Sequence, residues 1–269
     1  MFNKRKGKNY MLKKQMEDQI VIACLSDGKT NAVTDQTLEQ LAEIVADVNQ
    51  DPGIKGLILT GEGRFFSSGF SLPMFVGFED KAAVVSFFEK EEQVLVDYFT
   101  CKKPVICAIN GHCAAMGLIL AMASDYRVVK NHPKIKLGMS EIKIGLGLSI
   151  AQTAVMRFGL DSDKRFRDVM YFGEMKDVNQ AMEQELVDEL VAEDQLIFRA
   201  KQIISQWFDT PNHPFVQLKQ SLKTETARKI QQALAAQNWQ DSMCRSLLNK
   251  DVKATLSFVQ AAMDKKTAS

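Results

Sequence analysis

KPVICAINGHCAAMGLILAMASD, residues 103–125, predicts a buried strand over residues 105–109, a glycine turn, and an apolar helix that begins near Met116 and Gly117. The first four N–H groups of a helix have no partner within the helix, and the helix dipole adds partial positive charge there. Such a helix start can hold an anion or a charge that develops during a reaction. The alternative is an ordinary strand-to-helix connection of an α/β protein, and two further segments favour the functional interpretation.

A second segment, residues 61–74, supplies small side chains where a ligand can approach the backbone. Its sequence, GEGRFFSSGFSLPM, follows an apolar run that predicts a buried strand over residues 56–60. Ser67, Ser68 and Gly69 leave little side-chain bulk beyond the end of that strand. We therefore interpret this segment as one wall of a binding site.

A third segment, residues 137–146, carries one carboxylate among largely apolar residues. Its sequence is LGMSEIKIGL, and the carboxylate belongs to Glu141. Burial disfavours the charged form of a carboxylate, which raises its pKa and makes it a stronger base than a solvated carboxylate. Glu141 is therefore the candidate acid/base of the site.

Together the three segments resemble the enoyl-CoA hydratase/isomerase (crotonase) superfamily, and the resemblance extends from about residue 15 to about residue 268. The family's signatures stand here as FSSGFSL, PVICAINGHCAAMGLILAMASD and MSEIKIGL, in the family's order and at its spacing. The resemblance implies an α/β protein with the crotonase (ClpP-like) fold. That fold is a superhelix of β-β-α units followed by a C-terminal helical region that mediates trimerisation, so we expect a homotrimer or hexamer.

The resemblance also implies how the site works. The backbone N–H groups of Phe70 and Met116 are expected to polarise the oxygen of an acyl-CoA thioester. Hydratases of the family use two glutamates; Glu141 matches the second, whereas Ile119 stands at the position of the first. Adding water to a 2-enoyl thioester is best served by two acid/base groups, whereas moving a double bond from C3 to C2 needs one. The pattern therefore favours the Δ3,Δ2-enoyl-CoA isomerase branch and a role in fatty acid metabolism.

Further residues are expected to contact the substrate. Lys29 is predicted to meet the pantetheine or phosphate end of coenzyme A, and Met74 and Phe75 to line the acyl-chain pocket, with simple core packing as the alternative. The full predicted substrate-binding set is Lys29, Ser67, Ser68, Gly69, Met74, Phe75, Gly117, Ile119 and Leu146. No cofactor is expected beyond the coenzyme A of the substrate. No metal site is expected either, because the three histidines have no ligand spacing.

Composition agrees with an enzyme of this kind. The 269 residues carry a net charge of +1, which argues against a nucleic-acid-binding protein. No apolar run approaches the ~18 residues of a membrane span. The five cysteines form no CxxC pair and lie mostly in apolar segments, as expected of reduced residues in a cytoplasmic protein.

Charge and periodicity divide the chain into three parts. Residues 1–14, which carry six positive charges, are predicted to be a flexible basic extension. Residues 15–194 are predicted to form the crotonase core, with strands at 19–25 and a helix over 34–49, and residues 195–269 a C-terminal helical region.

Two interpretations stay open beside the isomerase. One is another acyl-CoA reaction on the same scaffold, such as hydration by an enoyl-CoA hydratase. The other is a catalytically weak acyl-CoA-binding protein. In the C-terminal region, Lys219, Lys223 and Arg228 are candidates for contacts with coenzyme A phosphates, although a solvated basic face would give the same pattern.

Overall fold

The computed structural model describes residues 10–236 and 239–268. Its strands are β1 (Leu12–Glu17), β2 (Ile20–Leu25), β3 (Gly56–Gly61), β4 (Phe65–Ser67), β5 (Val105–Ile109), β6 (His112–Ala114), β7 (Tyr126–Lys130), β8 (Leu137–Gly138), β9 (Met175–Lys176) and β10 (Glu189–Val191). Its α-helices are α1 (Asp35–Gln50), α2 (Leu72–Val76), α3 (Lys81–Phe99), α4 (Met116–Ala123), α5 (Ile150–Leu160), α6 (Asp163–Met170), α7 (Val178–Glu183), α8 (Leu196–Phe208), α9 (Pro214–Ala236), α10 (Trp239–Leu247) and α11 (Lys250–Ala268). The predicted α/β class is confirmed.

Two sheets organise these elements. The larger has six strands in the order β1-β2-β3-β5-β7-β10; β1 is antiparallel to β2, and the other neighbours are parallel. All five residues of β5 are buried, as expected of a central parallel strand covered on both faces. The smaller sheet has the order β4-β6-β8-β9. Its first three strands are formed by the short segments that follow β3, β5 and β7. These segments bring the three sequence motifs side by side.

Local sequence accounts for the first helix. The Thr34 hydroxyl accepts a hydrogen bond from the Thr37 N–H at 3.3 Å, and the Thr34 N–H donates to the Thr37 hydroxyl at 3.1 Å. This reciprocal cap fixes the start of α1 at the position that the sequence predicts. One apolar stripe of the helix, which includes Leu38, Leu41 and Ile44, is buried against the core. The predicted helix over residues 34–49 is confirmed within one or two residues.

The N-terminal boundary differs from the prediction. Residues 1–9 lie outside the described residues, so the predicted basic extension is described only from Tyr10 onward. Leu12 is buried, and residues 12–14 form the first half of β1, which pairs with β2. The ordered sheet therefore begins within the segment that was expected to be an extension. Leu12 anchors this strand in the core, and all six residues pair with β2, while the adjacent Lys13 and Lys14 face opposite sides of the sheet.

The C-terminal helices cover the core from two sides. Ile203 and Ile204 of α8 pack on Ile58 and Ile106 of the larger sheet. Helix α9 is held by a buried ion cluster in which Lys219 and Lys223 contact Asp125, so both lysines lie inside the protein and the expected contact with coenzyme A phosphates is wrong for them. None of the described helices is long and apolar enough to cross a membrane.

Candidate active site

A short parallel backbone contact orients the N–H group of Phe70. The Val33 N–H donates to the Gly69 carbonyl at 2.8 Å, and the Ser71 N–H donates to the Val33 carbonyl at 3.0 Å. In such a pairing the residue between the two bonded positions, here Phe70, directs its own N–H away from Val33. Phe70 also lines the cavity described below, which makes its N–H a candidate donor to a ligand there.

The second N–H donor lies at the start of α4. Ala115, the residue before this helix, adopts φ +54°, a conformation that is strained for a residue with a Cβ, and its N–H donates to the Gly138 carbonyl at 3.1 Å. The first hydrogen bond within the helix runs from the Ile119 N–H to the Ala115 carbonyl, so the Met116 N–H has no partner inside the helix. The conformation of Ala115 thus turns the chain so that the Met116 N–H and the positive end of the helix dipole point the same way.

Gly69 brings the two donors together. It has φ +99°, and a Cβ built there would lie 2.4 Å from the Ala115 Cβ and 3.3 Å from the Met116 nitrogen. The backbone before Phe70 therefore lies directly against the start of α4, with no room for a side chain between them. Two convergent N–H groups of this kind can stabilise an oxyanion.

Replacing Gly69 with alanine tests this contact. We expect Gly69→Ala to lower thioester turnover by about one to two orders of magnitude, because the new methyl group forces the two N–H donors apart. Steady-state kcat, with circular dichroism to verify folding, measures the effect. Gly63→Ala is the control: Gly63 also has a positive φ, +72°, but has no atom within 4 Å of an added Cβ. Equal losses in the two variants would contradict an effect through the donors.

Glu141 begins a 3-10 helix, Glu141–Ile144, that follows β8. Gly145 ends this helix in the left-handed conformation, and its N–H donates back to the Glu141 carbonyl. Glu141 is 8% exposed, and its Oε2 has no hydrogen-bond partner among the described residues. Burial raises the pKa of Glu141 to about 7, against the lowering effect of the nearby backbone N–H groups of Glu141 and Ser140. A carboxyl with this pKa can both accept and return a proton near neutrality.

Two connected spaces meet at Glu141. The outer cavity has a volume of about 310 Å³, and the inner one of about 30 Å³. Phe70, Phe75, Glu141 and Leu146 line both. Of the predicted residues, Lys29 and Ser68 line the outer cavity, whereas Met116 and Ile119 line the inner one.

Four of the predicted substrate-binding residues do not line either cavity: Ser67, Gly69, Met74 and Gly117. The buried Ser67 hydroxyl donates to the Asn31 carbonyl at 2.7 Å and accepts from the Gly69 N–H at 3.1 Å. A Cβ on Gly117 would lie 2.8 Å from the Ser67 Cβ. Ser67, Gly69 and Gly117 thus pack α4 against the segment before Phe70, and their small size serves backbone contact.

Several cavity residues could not be predicted from the sequence, because distant segments supply them. The loop after β2 contributes Asp27, and α11 contributes Val259, Gln260 and Met263. The inner cavity also contains Met243 and Leu247 of α10, and Gln152 of α5. Nothing in the local sequence of these helices distinguishes a residue that faces a cavity from one in the core.

Ser71 has a structural role. Its hydroxyl accepts from the Met74 N–H at 3.4 Å, which caps α2. Helix α2 carries Phe75, whose ring lies 5.2 Å from that of Phe70. Ser71 therefore helps to hold the aromatic wall of the cavity.

The comparisons with known proteins agree with this geometry. The enoyl-CoA hydratase/isomerase family profile matches residues 15–261. The chain is 24% identical over 255 residues to rat mitochondrial enoyl-CoA delta isomerase 1, covering 93% of this chain and 87% of the relative. It is 31% identical over 130 residues to a probable enoyl-CoA hydratase of Bacillus subtilis, covering 48% of this chain and 50% of that protein.

A solved structure extends the likeness to the whole fold. The crystal structure of human mitochondrial delta3-delta2-enoyl-CoA isomerase superposes with a TM-score of 0.87 at 18% identity and covers 96% of this chain and 99% of that chain. This likeness confirms the predicted crotonase fold. Because the family profile also spans most of the sequence, this chain belongs to the enoyl-CoA hydratase/isomerase family.

Proposed function

We propose that this enzyme is a Δ3,Δ2-enoyl-CoA isomerase in which Glu141 is the only proton shuttle. The observation that carries the proposal is the composition of the inner cavity: among the described residues that line it, Glu141 is the sole carboxylate, and hydrocarbon from Ile119 lines the same space. Activation of a water molecule would draw on a second acid/base group. Transfer of one proton between two carbons of the same substrate does not.

The reaction then follows from the geometry. The Glu141 carboxylate removes a proton from C2 of the 3-enoyl thioester, and the electrons of that C–H bond move toward the thioester oxygen. The N–H groups of Phe70 and Met116 stabilise the resulting enolate, and each such donor contributes about 3–4 kcal/mol in comparable sites. Glu141 returns the proton to C4, so the double bond ends between C2 and C3. No atom is gained or lost overall.

The pH dependence of turnover tests the role of Glu141. Its pKa is raised to about 7 by burial, and the reaction requires the ionised form. We therefore expect kcat/KM on a 3-enoyl-CoA to rise between pH 6 and 8 with an apparent pKa of about 7. Initial rates in buffers of constant ionic strength measure this profile. A rate that falls with increasing pH through this range would show that the protonated carboxyl is the active form, and would contradict the proposal.

The outer cavity suits the coenzyme A portion of the substrate. It is lined by Lys29 and by residues of α11. We infer that this cavity holds the pantetheine arm and that the thioester lies where the two cavities meet.

A homotrimer or hexamer and a cytoplasmic location stay predictions; light scattering of the purified protein would measure the number of copies.

The deciding experiment compares two substrates on the purified protein. One assay follows the conjugated product formed from a 3-enoyl-CoA, and the other follows hydration of a 2-enoyl-CoA. Isomerisation at least tenfold faster than hydration supports the proposal. Hydration at an equal rate would favour an enoyl-CoA hydratase, and binding without turnover on either substrate would favour an acyl-CoA-binding protein.

A further inference from the structure

A groove between α5, α9 and α10 continues from the inner cavity toward the surface. Its volume is about 470 Å³, and Met243 of α10 lines both this groove and the inner cavity. We call this space the α10 groove. The rest of its apolar lining consists of Leu148, Ile150, Ala154, Ile230, Ala233 and Trp239.

The inner cavity is least enclosed on the side of this groove. Phe88 and Leu247 in its walls are at most 2% exposed and belong to the core. Met243 and Ser246 are only half-buried, and Gly147 is exposed. A Cβ built on Gly147 would meet no atom within 4 Å, so no side chain closes the wall there.

Helix α10 supplies one continuous stripe to the two spaces. Trp239, Ser242 and Met243 line the groove, whereas Met243, Ser246 and Leu247 line the inner cavity. Spacings of three and four residues place these side chains on one face of the helix. Between Ser246 and Trp239 the helix advances about 10 Å. A chain that follows this face therefore passes Met243 on its way from the inner cavity to the groove.

Met243 separates the two spaces with a side chain that can change shape. Methionine is unbranched and has three rotatable side-chain bonds, so it can adopt another rotamer without movement of the backbone. The helix itself is held in place, because Cys244 and Leu247 are buried and Asp241 pairs with Lys81 of α3 at 2.7 Å. Rotation of Met243 would thus open the inner cavity to the groove while α10 stays where it is.

The chemistry of the α10 groove suits a hydrocarbon. Its two cationic side chains already have acidic partners: Arg157 pairs with Asp163, and Lys229 pairs with Glu225 at 2.9 Å. Most of the other lining residues are apolar. A hydrocarbon chain that lies there removes its own apolar surface and that of the groove from water.

We propose that the acyl tail of the substrate leaves the inner cavity past Met243 and lies in the α10 groove, so that the preferred substrates are 3-enoyl-CoAs with long, unbranched hydrocarbon chains. This inference rests on the isomerase function proposed above and names its substrate class. A dodecenoyl chain extends far enough beyond C4 to follow α10 to Trp239, whereas a hexenoyl chain ends before the groove.

Trp239 allows a direct test that needs no turnover. The chain has two tryptophans, and the other, Trp207 of α8, stacks on Phe215 at 4.5 Å and does not line the groove. In Trp207→Phe the fluorescence therefore comes from Trp239 alone. We expect 12-bromododecanoyl-CoA to quench it and dodecanoyl-CoA not to, because bromine quenches an indole only at close range. Equal fluorescence at saturating concentrations of the two compounds would overturn the inference.

Filling the groove tests its role in turnover. Ala233 lines the groove but not the inner cavity. In Ala233→Trp we expect the ratio of kcat/KM for 3-dodecenoyl-CoA to kcat/KM for 3-hexenoyl-CoA to fall roughly tenfold, mainly through KM of the long substrate. Ala235→Trp is the matched control, because Ala235 lies on the same helix, is exposed and does not line the groove.

The outcomes separate the tail site from the isomerase function. A wild-type ratio in Ala233→Trp, or an equal fall in Ala235→Trp, would overturn the role of the groove. Absence of turnover on both substrates would contradict the isomerase function itself. In that case, or if Ala233→Trp fails to fold, the quenching of Trp239 decides alone whether the tail lies in the α10 groove.

Discussion

Glu141→Gln should lose isomerase activity by a factor of about 10²–10⁴ while the protein becomes more stable. The amide has nearly the same shape as the carboxyl but cannot accept a proton from C2. When ionised, the wild-type residue carries its charge in a buried place, and this burial raises its pKa from 4.5 to about 7. The folded state therefore binds the proton more tightly than the unfolded state, and wild-type stability falls as the pH rises from about 4.5 to about 7.

The stability difference has a defined sign and size. Above pH 7 the wild type carries the full cost of the buried charge, which corresponds to roughly 3 kcal/mol for this pKa shift, and the variant does not. Urea unfolding at pH 5 and pH 8 measures the difference: the two proteins should be close at pH 5 and diverge at pH 8. Full turnover of a 3-enoyl-CoA by the Glu141→Gln variant would exclude Glu141 as the proton shuttle, whatever the stability of the variant.

Asp125→Asn should destabilise the protein by about 3–5 kcal/mol. Asp125 receives Lys219 at 2.6 Å and Lys223 at 2.7 Å, and it also accepts the Val105 N–H at 2.8 Å. All three charged side chains are about 5% exposed. Because the cluster consists of two lysines and one aspartate, it already contains one more positive charge than negative charge. Removing the carboxylate leaves two ammonium groups buried without a counter-charge. Urea unfolding at pH 7 measures the loss.

Raising the pH should recover part of this loss. Burial lowers the pKa of Lys223 to about 8, and Asp125 opposes that effect. In Asp125→Asn the lysine deprotonates more readily, so the deficit should shrink between pH 7 and pH 9.

Two controls test this ion cluster. Asp168→Asn breaks the exposed pair with Lys164 and should cost at most ~0.5 kcal/mol. Replacing both lysines with methionine in the Asp125→Asn background should restore most of the stability. Asp125→Asn within 1 kcal/mol of the wild type at pH 7 would mean that the lysines find other partners.

The sequence predicted the parts of the site that local patterns determine. Gly69, the start of α4 near Met116, and Glu141 could be identified because each depends on a few consecutive residues. A left-handed glycine, a helix start and a carboxyl among apolar side chains each leave a local pattern. The order of these motifs then carried the family resemblance.

The remaining parts depended on contacts between distant segments. Lys219 and Lys223 look like one charged face of a helix, and only the position of Asp125 shows that they are buried. Gln152 likewise begins a helix with an ordinary cap, and its cavity is completed by α10, nearly ninety residues later. Tertiary packing decides such roles, and hydrophobic periodicity does not encode it.

The wall that α11 contributes to the outer cavity has a consequence for synthesis of the protein. Val259, Gln260 and Met263 lie far beyond the catalytic segment in sequence, and Val252 contacts the turn at Gly145. A nascent chain can assemble both sheets and position Glu141 while α11 is still inside the ribosome. Such a chain would have its catalytic groups in place but an incomplete cavity. We therefore expect substrate capture to begin only after about residue 263 has left the exit tunnel.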